Sequence, residues 1–341
     1  MYRIGIIGCG KIAQVRHIPE YLANEKAKIC AVYDINQERA KEIASALNAV
    51  SYESVDAILS SGLDAVSVCT SNDSHAEIAV KALDHGLHVL CEKPMAVTLE
   101  GAEKMVEAAR KNGRILMIGQ NQRLNGTHQR AHELIRKGEI GKVISFETVF
   151  AHSGPETWSV DPGKNTWFFD KKKAVMGAMA DLGIHKTDLI RFLLDDDIAS
   201  VDAKIVTLDK RGSDGSLIAV DDNAFVIYEM KSGAVGTLRA SWTNYGPENN
   251  STVIYGSEGV MSIFLNPEHS IEVAKKNGER DYYDVEVMQT NDNQTSSGVI
   301  DAFIDSLDRG TAAISGEDVL ESMKAVFAAL KSAEERKEVR I

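Results

Sequence analysis

Arg3-Ile4-Gly5-Ile6-Ile7-Gly8-Cys9-Gly10-Lys11-Ile12-Ala13 decides the fold of this 341-residue chain. Its first five residues are a short apolar run of strand type. Gly-x-Gly-x-x-Ala comes next, and then a helical pattern through Ile18, Tyr21 and Leu22. Between a strand and a helix, these residue types form a dinucleotide fingerprint. Gly8 makes the tight turn, Gly10 lets backbone approach a pyrophosphate, and the small Ala13 permits close packing. The helix amino end, with Lys11 and Ile12 beside it, receives the negative charge. A second strand, Ile29 to Tyr33, ends in Asp34 at roughly the 20-residue spacing of a ribose-binding carboxylate. Such an acid accepts from both ribose hydroxyls and repels a 2′-phosphate. Ile35, Asn36 and Gln37 follow it with no arginine directly after, so NAD rather than NADP is the expected cofactor. The alternative role for Asp34 is capping the next helix, Gln37 to Leu47.

The alternation continues outward from this unit. Ala65 to Cys69 reads as a strand, Thr70 to Ser74 as a polar turn, and His75 to His85 as a helix closed by Gly86. Leu87 to Cys91 is a strand, Leu99 to Lys111 a helix stopped near Gly113, and Ile115 to Ile118 a strand. Strands alternating with amphipathic helices imply an α/β Rossmann domain, a doubly wound parallel sheet, over residues 1–123. Capping is the expected role of Ser71, Asn72 or Asp73. His75 reads either as a helix-start histidine or as a nicotinamide neighbour. Glu92-Lys93-Pro94 ends the Val89–Cys91 run, and Pro94 biases Lys93 to an extended pose. A lysine there stands where open α/β sheets hold their ligands.

After Arg123 the pattern changes to an α+β domain over 124–341 with a large open, mostly antiparallel sheet. A helix from His128 to Lys137 ends at Gly138. Strands are expected at Val143–Ala151, Val201–Leu208, Ala224–Met230, Ala234–Asn244, Thr252–Tyr255 and Val260–Leu265, with hairpin turn signals between some of them. Ser153–Asn165, Asp209–Val220 and Gln289–Ser297 read as polar loops. Asp195-Asp196-Asp197 reads as a solvated loop without metal-site spacing. The chain closes with a helix, Glu317 to Glu335, whose Val319, Met323, Val326, Phe327 and Leu330 form a core stripe.

Fifty acidic against 38 basic residues leave a net charge of −12, with no basic block, which argues against nucleic acid or an anionic membrane as partner. No apolar run approaches the ~20 residues that span a bilayer. Met1 leads straight into strand-like residues without an export leader, so a cytoplasmic location is expected. Cys9, Cys30, Cys69 and Cys91 lie in or beside apolar strands and read as reduced core thiols.

One helix interrupts the β pattern: Gly177-Ala178-Met179-Ala180-Asp181-Leu182-Gly183-Ile184-His185-Lys186-Thr187-Asp188. Asp181 and His185 are spaced i, i+4, and Asp188 extends their stripe. A carboxylate one turn before an imidazole orients it and favours its protonated form. The other reading is a structural helix with a surface ion pair.

Together these stretches resemble the glucose-fructose oxidoreductase, inositol dehydrogenase and MocA family. The resemblance is carried by Gly8-Cys9-Gly10, Asn72 with His75, His88 through Pro94, Arg123, Gly138 to Val143, Trp167-Phe168-Phe169-Asp170, and Asp181 through His185 with Asp188. It implies NAD-dependent oxidation of a secondary alcohol of a sugar or cyclitol, or the reverse reduction. Cofactor contacts would come from Gly8, Gly10, Lys11, Ile12, Asp34, Thr70, Asn72, His75, Glu92 and Lys93. Lys93, Asp181 and His185 would carry catalysis, His185 taking the hydroxyl proton, Asp181 holding the imidazole and Lys93 bonding the alkoxide; which of Lys93 and His185 takes the proton stays open. Arg123, Trp158, Trp167 and His185 would lie near substrate, Arg123 and Trp167 being otherwise an ion pair and packing. The implied assembly is a homodimer or homotetramer through the C-terminal sheet. Two departures stand out: Thr70-Ser71-Asn72 where the family often has Thr-Pro-Asn, and Val175-Met176-Gly177 where a triple glycine is common. The latter would narrow or reshape the pocket. Competing readings are an NAD-dependent glycosidase of the same superfamily, a non-catalytic dinucleotide-binding regulator, and a dehydrogenase for a non-sugar alcohol or imine.

Overall fold

A computed structural model describes residues 1–288, 290 and 294–341, so part of the Gln289–Ser297 loop lies outside the described residues. The first half is β1 (Tyr2–Ile7), α1 (Ile18–Ala23), β2 (Ala27–Tyr33), α2 (Gln37–Leu47), β3 (Val50–Ser51), α3 (Val55–Leu59), β4 (Ala65–Val68), α4 (His75–Asp84), β5 (His88–Cys91), α5 (Leu99–Asn112) and β6 (Leu116–Ile118). All its strand pairs are parallel, in the order β3-β2-β1-β4-β5-β6. The order reverses between β1 and β4, which opens a crevice at the strands' carboxyl ends. β4 and β5 are buried on both faces, which is why they read as unbroken apolar runs.

The second half is α6 (Gly126–Arg136), β7 (Val143–Ala151), α7 (Ile184–Leu194), β8 (Ile198–Val206), β9 (Asn223–Met230), β10 (Val235–Ser241), β11 (Thr252–Gly256), β12 (Gly259–Ile263), β13 (Ile271–Lys275), β14 (Arg280–Tyr283), α8 (Val299–Arg309), α9 (Gly316–Glu335) and β15 (Val339–Arg340). Nine strands form one sheet, β14-β13-β12-β11-β7-β10-β9-β8-β15, antiparallel except where β10 lies parallel to β7. Helices α7 and α9 pack on one face of it. Among the described residues the other face is open, so buried and exposed residues alternate along most of β9 and β10. α8 returns to pack on α1, and α9 packs on α5 and β6 as well as on β8. The last helices therefore bind the two sheets into one molecule.

Local details differ from expectation. Leu22 faces solvent, because a π-helical turn over Ala13–His17 precedes α1 and rotates the pattern. Asn36, not Asp34, caps α2 by accepting from Arg39 N. Among the described residues no side chain caps the turn at Asn72; Asn72 Nδ2 instead donates to the Ala174 carbonyl at 3.1 Å, across to the second half. Asp195–Asp197 are paired rather than merely solvated: Asp195 with His132, and Asp197 with Arg191 and Lys231. All four cysteines are free thiols, three of them buried.

Candidate active site

A cleft of about 510 Å³ runs along the carboxyl ends of the parallel strands and under the second sheet. Gly8, Gly10, Lys11 and Ile12 line one end of it. Gly8 sits at φ +91°, and a Cβ there would stand 2.7 Å from the Cys69 carbonyl, so only glycine fits the turn. Asp34 lies at the same end, nearly buried, accepting from Cys9 N and Asn36 N at 2.7 Å each. Arg39, absent from the sequence reading, also lines this end 3.9 Å from Asp34 and donates to Asp161 at 2.9 and 3.0 Å. That bond ties the 153–165 loop, with Trp158, to α2. The open glycine turn and the acid at the end of β2 fit a dinucleotide.

Thr70, Asn72, His75, Glu92 and Lys93 form the middle of the cleft. The His75 ring bridges the Thr70 carbonyl (3.1 Å) and the Pro94 carbonyl (2.8 Å), and burial pushes its pKa down. Glu92 is buried against Arg16 (3.0 Å) and His17 (2.9 Å). Burial alone would raise its pKa, but Arg16, His17 and Lys93 hold it well below the usual carboxylate range. The Lys93–Pro94 peptide is cis.

Lys93 reaches across to α7's leading turn. Its Nζ donates to both the Asp181 carbonyl and Asp181 Oδ1 at 2.9 Å, while Trp242 Nε1 donates to Asp181 Oδ2 at 3.0 Å. This corrects the expected Asp181–His185 pair. Residues 179–183 form a π-helical turn, and both Asp181 oxygens are taken by groups distant in sequence. Asp221 starts that turn, accepting from Gly177 N and Met179 N at 2.7 Å. A side chain at Gly177 would overlap the Asp221 carbonyl, so this glycine is fixed, whereas Val175 (φ +63°) and Met176 are accommodated, Met176 facing the cleft.

His185 lines the cleft at 6 % exposure, 5.9 Å from the Phe150 ring, with Nδ1 buried and without a partner among the described residues. Burial first, and then the Lys93 charge, lower its pKa well below the ordinary value. Asp181 does favour the protonated form, as expected, but burial and the Lys93 charge outweigh it, leaving His185 a neutral base. His152, at the end of β7, is a second imidazole in the cleft; its Nδ1 accepts from Gly154 N at 2.9 Å and burial lowers its pKa.

Arg123 does not line the cleft. It makes two 2.6 Å bonds to Asp188 and a further pair with Asp318, so its ion-pair alternative is the one realised and Asp188 is drawn off the His185 stripe. Trp158 and Trp167 both line the cleft, Trp167 stacked on Phe168 at 3.9 Å. Asn121, Gln122 and Asn250 also line it, unanticipated. The first two follow β6, whose carboxyl end could have flagged them; Asn250 precedes β11 and gave no local signal.

A family profile described as "Oxidoreductase family, NAD-binding Rossmann fold" matches residues 2–120, and one for the GFO/IDH/MocA C-terminal domain matches 128–262. A 1,5-anhydro-D-fructose reductase of Ensifer adhaerens is 31% identical over 76% of this chain and 75% of its own length. The chain belongs to the Gfo/Idh/MocA family. It is an oxidoreductase whose Rossmann domain is of the NAD-binding kind. Another Gfo/Idh/MocA relative, a myo-inositol 2-dehydrogenase of Thermotoga maritima, is 25% identical over 99% of this chain and 98% of that one. Among solved structures, a levoglucosan dehydrogenase in complex with NADH and levoglucosan shares the fold at a TM-score of 0.88, 23% identity and coverage of 100% and 99%.

Proposed function

We propose that this chain is an NAD-dependent dehydrogenase oxidising a secondary alcohol of an unphosphorylated sugar or cyclitol. The observation that carries the reading is an Asp181-held Lys93 ammonium and a neutral His185 lining one cleft. NAD bound along the glycine turn, with Asp34 at its ribose, would supply the hydride acceptor. His185, uncharged, takes the hydroxyl proton. Lys93, held by both Asp181 oxygens facing it, donates to the developing alkoxide. Asp181 is a positioning group for the lysine, locked by Trp242. Asn121, Gln122 and Asn250 offer uncharged amides to ring hydroxyls, a wall suited to a polyol rather than to a phosphate. Asp34 supports NAD over NADP by repelling a 2′-phosphate.

The open sheet face supports a homodimer or homotetramer. Lys204, Phe225 and Arg239 form one outward row and Asp202, Ile227, Thr237 and Glu147 the next, so a second copy related by a two-fold can set basic row over acidic row.

A panel of aldoses, inositols and sugar phosphates with NAD, read at the NADH band, tests the reading. Net NADH from a free polyol is expected. Lys93→Met and His185→Ala should each lower kcat ~10²–10⁴-fold. Turnover near wild type in either variant removes that residue from the mechanism. An aglycone released without net NADH would mean the glycosidase reading instead.

A further inference from the structure

Lys186 directly follows His185 yet points away from the chemistry. Its side chain is 0 % exposed. Its Nζ donates to the Asn250 carbonyl at 3.0 Å and lies 3.5 Å from Thr252 Oγ1, which is itself bonded to Thr148 Oγ1 at 2.8 Å. Glu248 favours its charged form, yet burial outweighs it and lowers the pKa to about 7, so the amine is disfavoured relative to an apolar side chain of the same length. What it provides locally is one donor aimed at the backbone of a cleft residue.

Asn250 and Gln122 make the neighbouring part of the cleft wall, Gln122 Nε2 donating to Asn250 Oδ1 at 3.3 Å. Asn250 Nδ2 and Gln122 Oε1 are both buried and have no partner among the described residues, one spare donor and one spare acceptor in the same amide pair. The Gln122 carbonyl is held in turn by His128 Nδ1 at 2.8 Å, from the buried face of α6. Burial, and then the nearby Lys186 charge, push the His128 pKa down to about 3, so His128 is a neutral Nδ1–H donor. Two buried nitrogen bases therefore stand behind the two amides, each fixing one backbone carbonyl.

We propose that Lys186 is a positioning residue for substrate: by holding the Asn250 carbonyl it keeps the Gln122–Asn250 amide pair in register to read the ring hydroxyls of a polyol. The assignment rests on the dehydrogenase reading for its substrate class, but the positioning claim has a readout of its own. Lys186→Met removes the donor and keeps the length. Hydrogen–deuterium exchange across 246–252 needs no substrate. It should quicken several-fold in Lys186→Met and return towards wild type in Lys186→Gln, which keeps a neutral donor; unchanged exchange in Lys186→Met overturns the proposal. On the polyol giving most NADH with wild type, Lys186→Met should raise KM roughly ten-fold, as for loss of one well-placed hydrogen bond. Its kcat, its KM for NAD and the acid limb of its pH profile should stay within two-fold of wild type. Asn250→Ala should raise KM similarly, and the double variant no further than either single. Additive losses, or a fall in kcat with KM unchanged, would overturn the proposal. If wild type reduces no NAD with any polyol, the dehydrogenase reading fails, and the exchange data still decide whether Lys186 holds the loop. Should Lys186→Met not fold, the same exchange and KM comparisons are read on Lys186→Leu, which also lacks the donor, with and without Asn250→Ala, where additivity again overturns the proposal.

Discussion

At the residue scale the decisive quantity is the protonation of His185. Its ring is buried beside the Lys93 ammonium, and both conditions disfavour a second positive charge. An imidazole that must be neutral to accept a proton then stays competent well below the pH at which a solvated histidine would fail. The kcat of polyol oxidation should therefore show no acid limb near pH 6.5 and lose activity only at clearly lower pH. A limb at the ordinary histidine value, abolished by His185→Gln, would contradict this geometry. Lys186 gives a stability counterpart. Burial lowers its pKa from 10.5 to about 7 in the folded protein. Between those values the unfolded chain binds the proton and the folded chain does not, so this group makes stability rise with pH through that window. Below about pH 7 both states are charged and the full penalty, on the order of 4–5 kcal/mol, is present. Lys186→Met should accordingly raise the melting temperature most at pH 6 and progressively less towards pH 10.

At the element scale, the turn after β5 is welded to the turn before α1 by Glu92, whose carboxylate receives Arg16 and His17 from the π-helical turn. Removing the charge strands a buried guanidinium, a loss that typically amounts to ~3–5 kcal/mol. Glu92→Gln should lower the melting temperature by several degrees at pH 7 on a thermal-unfolding scan. Because the folded carboxyl titrates below its ordinary 4.5, its contribution is present above that value and fades as pH falls through the lower folded one, so the deficit should shrink in acid. The same elements show what a sequence carries. Strand, glycine turn and helix are local in chain, so Gly8, Asp34 and the Rossmann alternation were legible from spacing alone, and six of the later sheet's strands, β7 to β12, followed from alternation and turn residues. β13, β14, β15 and α8 were not read, the strands being short and charged at the sheet's margins. At the site, i, i+4 spacing placed Asp181 and His185 on one stripe but could not show that Lys93, 88 residues away, and Trp242 would claim the carboxylate first. Arg123 was misplaced for the same reason: its partners, Asp188 and Asp318, come from α7 and α9. Pairings between elements distant in sequence leave no local periodicity.

At the scale of the whole molecule, the nine-stranded sheet spends only one face on its own helices. Phe225, Ile227 and Val235 stand 42, 48 and 45 % exposed on the other, on the interior strands β9 and β10. Exposed apolar residues on interior strands of a charged-bordered face are the pattern of a surface covered by another chain. The cross-strand register makes the face self-complementary: Lys204 and Arg239 flank Phe225, while Asp202 and Glu147 border the Ile227–Thr237 pair one row along. An aspartate at position 227 would join an already acidic row and remove the apolar contact at its centre. Ile227→Asp should therefore shift the sedimentation of the protein from a dimer or tetramer towards a single chain, with its circular dichroism unchanged. The cleft lies at the opposite, helix-covered side of β7 and β10, where Phe150 and Trp242 meet His185 and Asp181. Binding of NAD by the dissociated variant, followed by quenching of tryptophan fluorescence, should consequently match wild type. A wild-type protein that sediments as one chain, or an Ile227→Asp protein that assembles as wild type does, would leave this face without the partner assigned to it.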